Sequence, residues 1–273
     1  MRHQFLMEGL LSLSASHCAH LEPLASWDYT EAATKYQISG ILGYRSALNC
    51  IDGNNYEAVF AFSIILIIMG FGMPSASQER QSVTPLDHIT SIFELLKGVE
   101  ITTQTYGEMI KFGMFKPLFL TVNTHSVDNG QQGFAVAVPW RDAKAAMTRL
   151  RERVDIVTKY VGVDVREIYI GAIDGLELSF LEVELKGGIS HVVAWPILSG
   201  KDLIDLLKRK DPMALLLWAH YGVLTLVVHN YWWGKDFGVR LIDGLCSTLH
   251  SLDPEWMIWT EWARYCASLV SRL

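Results

Sequence analysis

The chain carries nine histidines and four cysteines, the side chains from which metal centres and nucleophilic catalysts are most often built. Their spacing decides whether either chemistry is available. His17, Cys18 and His20 stand together, and on a helix His17 and His20 would share a face at i, i+3. Tetrahedral zinc needs a third and a fourth ligand, and none lies nearby in the sequence. Cys18, Cys50, Cys246 and Cys266 are scattered, without the close pairs that zinc modules use, so reduced thiols and no metal are expected. His220 and His229 are nine residues apart on one segment, two and a half helical turns, which turns them to opposite sides. Ser63 lies in a hydrophobic run, and no G-x-S-x-G elbow appears that would activate a serine. The phosphate-cradling G-x-x-x-x-G-K pattern is also missing, and Gly70-Phe71-Gly72 closes an apolar segment instead of opening a helix onto a nucleotide. Three acid pairs have helical spacing: Asp28 with Glu31, Asp174 with Glu177, and Asp202 with Asp205. None forms the i, i+1, i+4 cluster that holds magnesium against a diphosphate. No catalytic residue and no cofactor is expected. A metal-free cyclisation or isomerisation, in which an apolar pocket folds a terpenoid or polyketide into a reactive shape, needs no motif and stands as the alternative reading.

Charge narrows the partners. A formal charge of -6 opposes unaided binding to phosphate backbones, which requires a concentrated cationic face. The densest basic stretch, Arg141 to Arg153 with Lys144, Arg149 and Arg151, is diluted by Asp142 and Glu152 and reads as a solvated helix face. Two uncharged runs test for a membrane. Ala58 to Met73 is 16 residues long, short of the roughly 20 a helix needs to cross a bilayer. Pro212 to Gly234 is long enough by count, yet His220 and Asn230 interrupt it, so both runs read as core helices. Met1 to Ala19 is apolar, but Glu8 breaks it and no small-residue cleavage site follows, unlike a signal peptide.

The elements that would position any site are helices with clear punctuation. Arg2 to His20 ends near Pro23. The next helix starts at a cap offered by Ser26 or Asp28 and runs to about Asn49. Asp52-Gly53-Asn54 turns the chain into an apolar helix that is expected to end at Gly70-Phe71-Gly72-Met73-Pro74. Leu86 to Lys97 is a short helix, and Ile101 to Val138 reads as irregular. Trp140 to Tyr160 and Asp164 to Leu185 return to helical spacing. Ser199 is a good cap for a helix ending in Lys208-Arg209-Lys210. Pro212 to Val228, Lys235 to Leu252 and Pro254 to Leu273 close the chain. Gly133 to Val138 and Ile189 to Val193 alternate enough for short extended pieces, too few for a sheet. The expectation is one all-α domain over 1–273, a multi-helix bundle with an irregular mid-chain loop region and an apolar pocket between helices.

Aromatic and methionine side chains are the material for that pocket. Phe60, Phe62, Met69, Phe71 and Met73 follow one helix and its end, while Trp218, Tyr221, Trp232, Trp233, Trp256 and Trp259 crowd the C-terminal helices with His220 among them. Singly, each is ordinary core packing. Together, with Tyr221 and His220 as polar tips, they are the candidate ligand-binding set.

An ordered series of segments carries a resemblance. Leu6-Met7-Glu8-Gly9-Leu10-Leu11-Ser12-Leu13-Ser14-Ala15-Ser16-His17 is followed by Glu57-Ala58-Val59-Phe60-Ala61-Phe62-Ser63-Ile64 and Phe93-Glu94-Leu95-Leu96-Lys97-Gly98. Then come Ala194-Trp195-Pro196, Asp211-Pro212-Met213-Ala214-Leu215 leading into Ala219-His220-Tyr221-Gly222-Val223-Leu224, and Tyr231-Trp232-Trp233. The series resembles the C-terminal regulatory domain of fungal zinc-binuclear-cluster transcription factors of the sterol uptake control type, over residues 5 to 265. The resemblance implies a helical domain that holds a sterol or similar apolar molecule and acts in transcriptional control, in the nucleus or cytoplasm, with a homodimer or transcriptional partner. The six-cysteine DNA-reading module of that family has no counterpart in this sequence. A regulator fragment that competes for dimer partners is therefore a third reading, beside the ligand sensor and the free-standing enzyme of secondary metabolism.

Overall fold

The computed structural model describes residues 3–72, 102–110, 115, 142–159, 163–186 and 190–271. Among them every regular element is helical, and the fold is an all-α multi-helix bundle. Within the 1–273 span its contacts divide into two compact units. The first comprises Met1–Gln81 and Ser91–Phe119, and the second Ser82–Thr90 and Leu120–Leu273.

In the first unit, α1 (Gln4–Leu21) and α2 (Ser26–Leu48) form a hairpin through a 3-10 turn at Pro23–Ala25, and α3 (Tyr56–Gly72) packs against them. Glycines set how closely they approach. A Cβ at Gly9 would stand 2.7 Å from the Phe62 ring, and one at Gly40 would stand 2.9 Å from it, so the Phe62 ring occupies the space two missing side chains leave. Phe5 and Tyr44 close around it, with ring centroids 5.6 and 4.8 Å from that of Phe62. The polar groups inside are paired: Tyr44 with the Ser63 hydroxyl at 2.7 Å, Ser63 with the Val59 carbonyl at 2.8 Å, and Ser12 with the Ala33 carbonyl at 2.7 Å. α3 is apolar all round and correspondingly buried. Its described length runs to Gly72, within the Gly70-Phe71-Gly72-Met73-Pro74 stretch expected to close it. A further helix, α4 (102–110), lies where irregular chain was expected, and its Tyr106 stacks on Tyr56 at 4.8 Å. Leu86 to Lys97, Gly133 to Val138 and the rest of the expected irregular region lie outside the described residues.

The second unit is built on α9 (Pro212–Thr225), in which Met213 to Thr225 are buried without exception. Around it stand α5 (Ala143–Val157), α6 (Val163–Lys186), α8 (Gly200–Lys208), α10 (Phe237–Leu252) and α11 (Met257–Val270), while α7 (Ser190–Leu198) packs on α6. Two Asp-Pro steps start elements here. Asp211 accepts from the Ala214 amide at 2.8 Å and Asp253 from the Glu255 amide at 2.9 Å, each capping free N–H groups while the following proline takes the first helical position. Ser199 does not cap α8 as expected. Its hydroxyl donates to the Pro196 carbonyl of the preceding helix at 3.0 Å. The expected extended piece at Ile189 to Val193 is also helical from Ser190 onward, as the start of α7. There Val192 is fully buried and Val193 half-buried on a helix instead of pairing with a strand.

α9 is 14 residues long and passes into a 3-10 turn at Leu226–Val228. No single described helix is long and apolar enough to cross a membrane, and α8 with α9 and its 3-10 turn passes that test only as a pair bent by 111°. The crossing of α9 with α10 rests on two glycines. A Cβ at Gly222 would meet Ile242 at 2.6 Å, and one at Gly238 would meet Thr225 at 2.7 Å and the Gly222 carbonyl at 3.0 Å. Gly238→Ala is therefore expected to lower stability by about 1–3 kcal/mol through overpacking. Gly171→Ala, in α6 with open space at its Cβ, should raise it by about 0.5–1 kcal/mol. Urea midpoints of the two variants, read by circular dichroism, check both signs.

Candidate functional site

Each aromatic named from the sequence can be traced upward from its helix. Trp218 and Tyr221 lie one turn apart on α9 and meet Trp195 of α7, with centroid separations of 5.0 Å for Trp195 to Trp218, 4.8 Å for Trp195 to Tyr221 and 5.2 Å for Trp218 to Tyr221. Local chemistry makes this cluster necessary. Pro196 sits inside α7 and has no N–H, so the Val192 carbonyl one turn earlier loses its regular helical donor. The Tyr221 hydroxyl supplies it, donating to that carbonyl at 2.8 Å. Trp195 in turn donates its indole N–H to the Ala172 carbonyl of α6 at 3.0 Å. Burial pushes the Tyr221 phenol well above its usual value, so it remains a donor throughout the physiological range.

His220 occupies a different face of α9. Its Nδ1 lies 2.9 Å from the Leu216 carbonyl and its ring stacks on Trp262 of α11 at 5.4 Å, beside the edge-on pair of Trp262 with Phe180. Complete burial holds the imidazole down at about 4, the Leu216 carbonyl opposes that shift, and the Arg149 charge adds to it. A neutral imidazole locked to its own helix is a core group.

The basic stretch is a solvated face only in part: Lys144, Arg149 and Glu152 are exposed, while Arg151 and Arg153 turn to neighbouring helices. Arg151 bonds Asp174 at 2.7 Å and Glu177 at 2.6 Å, which also gives that acid pair of α6 its partner. Arg149 donates to the Ile258 carbonyl at 3.2 Å. The Arg153 side chain is only 7% exposed and lies over Trp256 at 4.1 Å and Trp259 at 5.2 Å, so two ring faces meet a charge that would otherwise be costly to bury. Trp259 thus belongs to an arginine-binding pair of rings.

In the first unit Phe60, Phe62, Met69 and Phe71 are buried in its core, and Met73 lies outside the described residues. In the second, Trp233 is buried and stacked with Tyr231 at 5.3 Å, and Trp232 is half-buried. A hollow among the described residues lies elsewhere. It is an open groove of about 570 Å³ between α10 and α11, lined by Val239, Asp243, Glu261, Arg264, Tyr265 and Ser268 among others, and by none of the sequence-named aromatics. Sequence reading overlooked it because its lining residues are the outward positions of two ordinary amphipathic helices. The i, i+4 pairing of Val239 with Asp243 and of Glu261 with Tyr265 was the available signal.

No group of three or more His, Cys, Asp or Glu suited to a metal occurs among the described residues. Cys246 and Cys266 are buried, with thiols pushed up to about 11 and about 12 by desolvation, far from the thiolate that nucleophilic chemistry requires.

Two outcomes follow. Tyr221→Phe should cost about 1–3 kcal/mol by stranding the Val192 carbonyl, and the loss should shrink when Pro196→Ala restores a backbone donor; a double-mutant cycle of urea midpoints measures that coupling. His220 binds a proton at about 4 when folded and near 6.5 when unfolded. Its neutral burial therefore carries no penalty above about pH 6.5, and stability is lost as pH falls from there toward 4, by about 2 kcal/mol at pH 5. The His220→Phe variant should flatten that slope. Compared with family models, with curated proteins and with solved structures, the chain matches none.

Proposed function

We propose that this chain is a helical regulatory module of the fungal transcription-factor type, which holds an amphipathic, largely apolar small molecule such as a sterol and passes its occupancy to a transcriptional partner. The observation that carries the reading is the groove between α10 and α11. Its volume of about 570 Å³ lies within the range of roughly 300–1,000 Å³ typical of small-molecule sites. Val239, Ala267 and the Tyr265 ring supply apolar contact. Asp243, Glu261 and Arg264, which also line it, offer hydrogen-bond partners to the hydroxyl of such a ligand.

The ordered sequence resemblance supports the regulatory role and a nuclear or cytoplasmic setting. The net charge of -6 supports action through a partner and not through direct contact with DNA. Ligand control requires different affinities for two conformations, and α10 and α11 are the elements whose spacing an occupant would alter.

Native mass spectrometry of the full chain with ergosterol added is the test. One bound sterol per chain is expected, with at least tenfold weaker binding in Ser268→Trp, which fills the groove, and unchanged binding in Trp232→Asp. No sterol adduct, or an adduct indifferent to Ser268→Trp and abolished by Met69→Asp, would remove the proposed site.

A further inference from the structure

The outer face of α2 carries three large exposed apolar side chains where a solvated helix should be polar. At 100° per residue, Trp27, Glu31, Thr34, Ile38, Leu42 and Arg45 fall within an arc of about 80°, on the far side from the buried Ala33, Gly40 and Tyr44. Trp27 is 78% exposed, Ile38 59% and Leu42 64%, and Leu24, at the turn that precedes the helix, is 106% exposed. Isolated exposed apolar residues are ordinary, but a row along one helix marks an interaction surface. The hairpin that carries it is stiff, since α1 and α2 are keyed to the Phe62 ring through Gly9 and Gly40, so little ordering remains to be done on binding.

The charges along this face identify the partner. Asp28 and Glu31 lie toward the N-terminal end of α2, Lys35 and Arg45 toward its C-terminal end, and all four are exposed. A helix with that polarity is complementary to itself run backwards. We infer that α2 pairs antiparallel with α2 of a second copy of this chain about a two-fold axis that passes between Thr34 and Lys35.

In that register Trp27 of each copy covers Leu42 of the other, and the two Ile38 side chains close the seam on either side of the axis. The Glu31–Lys35 ion pair, 2.7 Å within one chain, becomes half of a four-membered network. Asp28 of one copy lies about one turn from Arg45 of the other. A parallel pairing would set acid against acid and base against base, which destabilises. At 23 residues the helix is about 34 Å long, enough for the full row to engage, and the two-fold symmetry is the form that most homodimers take. The pairing is independent of the groove, which lies in the other compact unit.

Sedimentation velocity and light scattering on the full chain test it. The expected mass is twice the 30.7 kDa of one chain. Leu42→Asp should return the single-chain mass with an unchanged circular dichroism spectrum and melting temperature. Lys35→Glu alone should weaken association at least tenfold, and Glu31→Lys with Lys35→Glu should restore it. In a Cys50→Ser background, Thr34→Cys at the two-fold should cross-link to its own copy under mild oxidation, whereas Glu22→Cys should not. A single-chain mass at every concentration, a dimer that survives Leu42→Asp, or cross-linking at position 22 but not at 34 would each overturn the proposal.

Discussion

The second unit is organised by one hydrogen bond that replaces a missing one. Pro196 deprives the Val192 carbonyl of its donor, and Tyr221 restores it from α9. To reach that carbonyl the tyrosine must be buried, and its ring then lies against Trp195 and Trp218. Trp195 in turn ties α7 to α6 through the Ala172 carbonyl. A single backbone vacancy thus accounts for the placement of three large aromatics and the docking of two helices on α9. Proline inside a helix would ordinarily cost about 3 kcal/mol, and here the cost is met by a side chain that also fixes tertiary geometry.

The same economy explains the basic residues of α5. Arg149, Arg151 and Arg153 reach three different kinds of acceptor: a backbone carbonyl, a pair of carboxylates and two indole faces. Each arginine holds α5 to a neighbouring helix. A stretch that looks like a cationic surface in composition thus gives three of its arginines to joints between helices.

Much of the fold was legible in the sequence because helical periodicity and Gly/Pro punctuation are local signals. α1, α2, α5, α6 and the three C-terminal helices fall within a few residues of expectation for that reason. α7 and α4 were not legible. The alternation at Ile189 to Val193 mimics a strand, and only the tertiary contact of Tyr221 reveals why a valine-rich, proline-containing segment is stable as a helix. Asp211 and Asp253 were readable caps, each an aspartate directly before a proline, whereas Ser199 had the right residue type in a conformation already turned into the preceding helix. Of the aromatic set, Phe60, Phe62, Phe71, Trp218, Tyr221, Trp233 and Trp256 are buried, while Trp232 and Trp259 are half-buried. What the sequence could not show was whether those rings enclose space or fill it. Trp195, Trp218 and Tyr221 stand ring against ring, and the groove lies where α10 and α11 present their outward edges.

Because α9 has no exposed side, it also has no neutral position. Along Met213 to Thr225 a larger residue collides, a smaller one leaves a hole, and a charged one is stranded without solvent. Among descendants of this chain that stretch should change most slowly, and the half-exposed outer edges of α10 and α11 would be free to diverge, which is where differences in chemical preference between such descendants would accumulate.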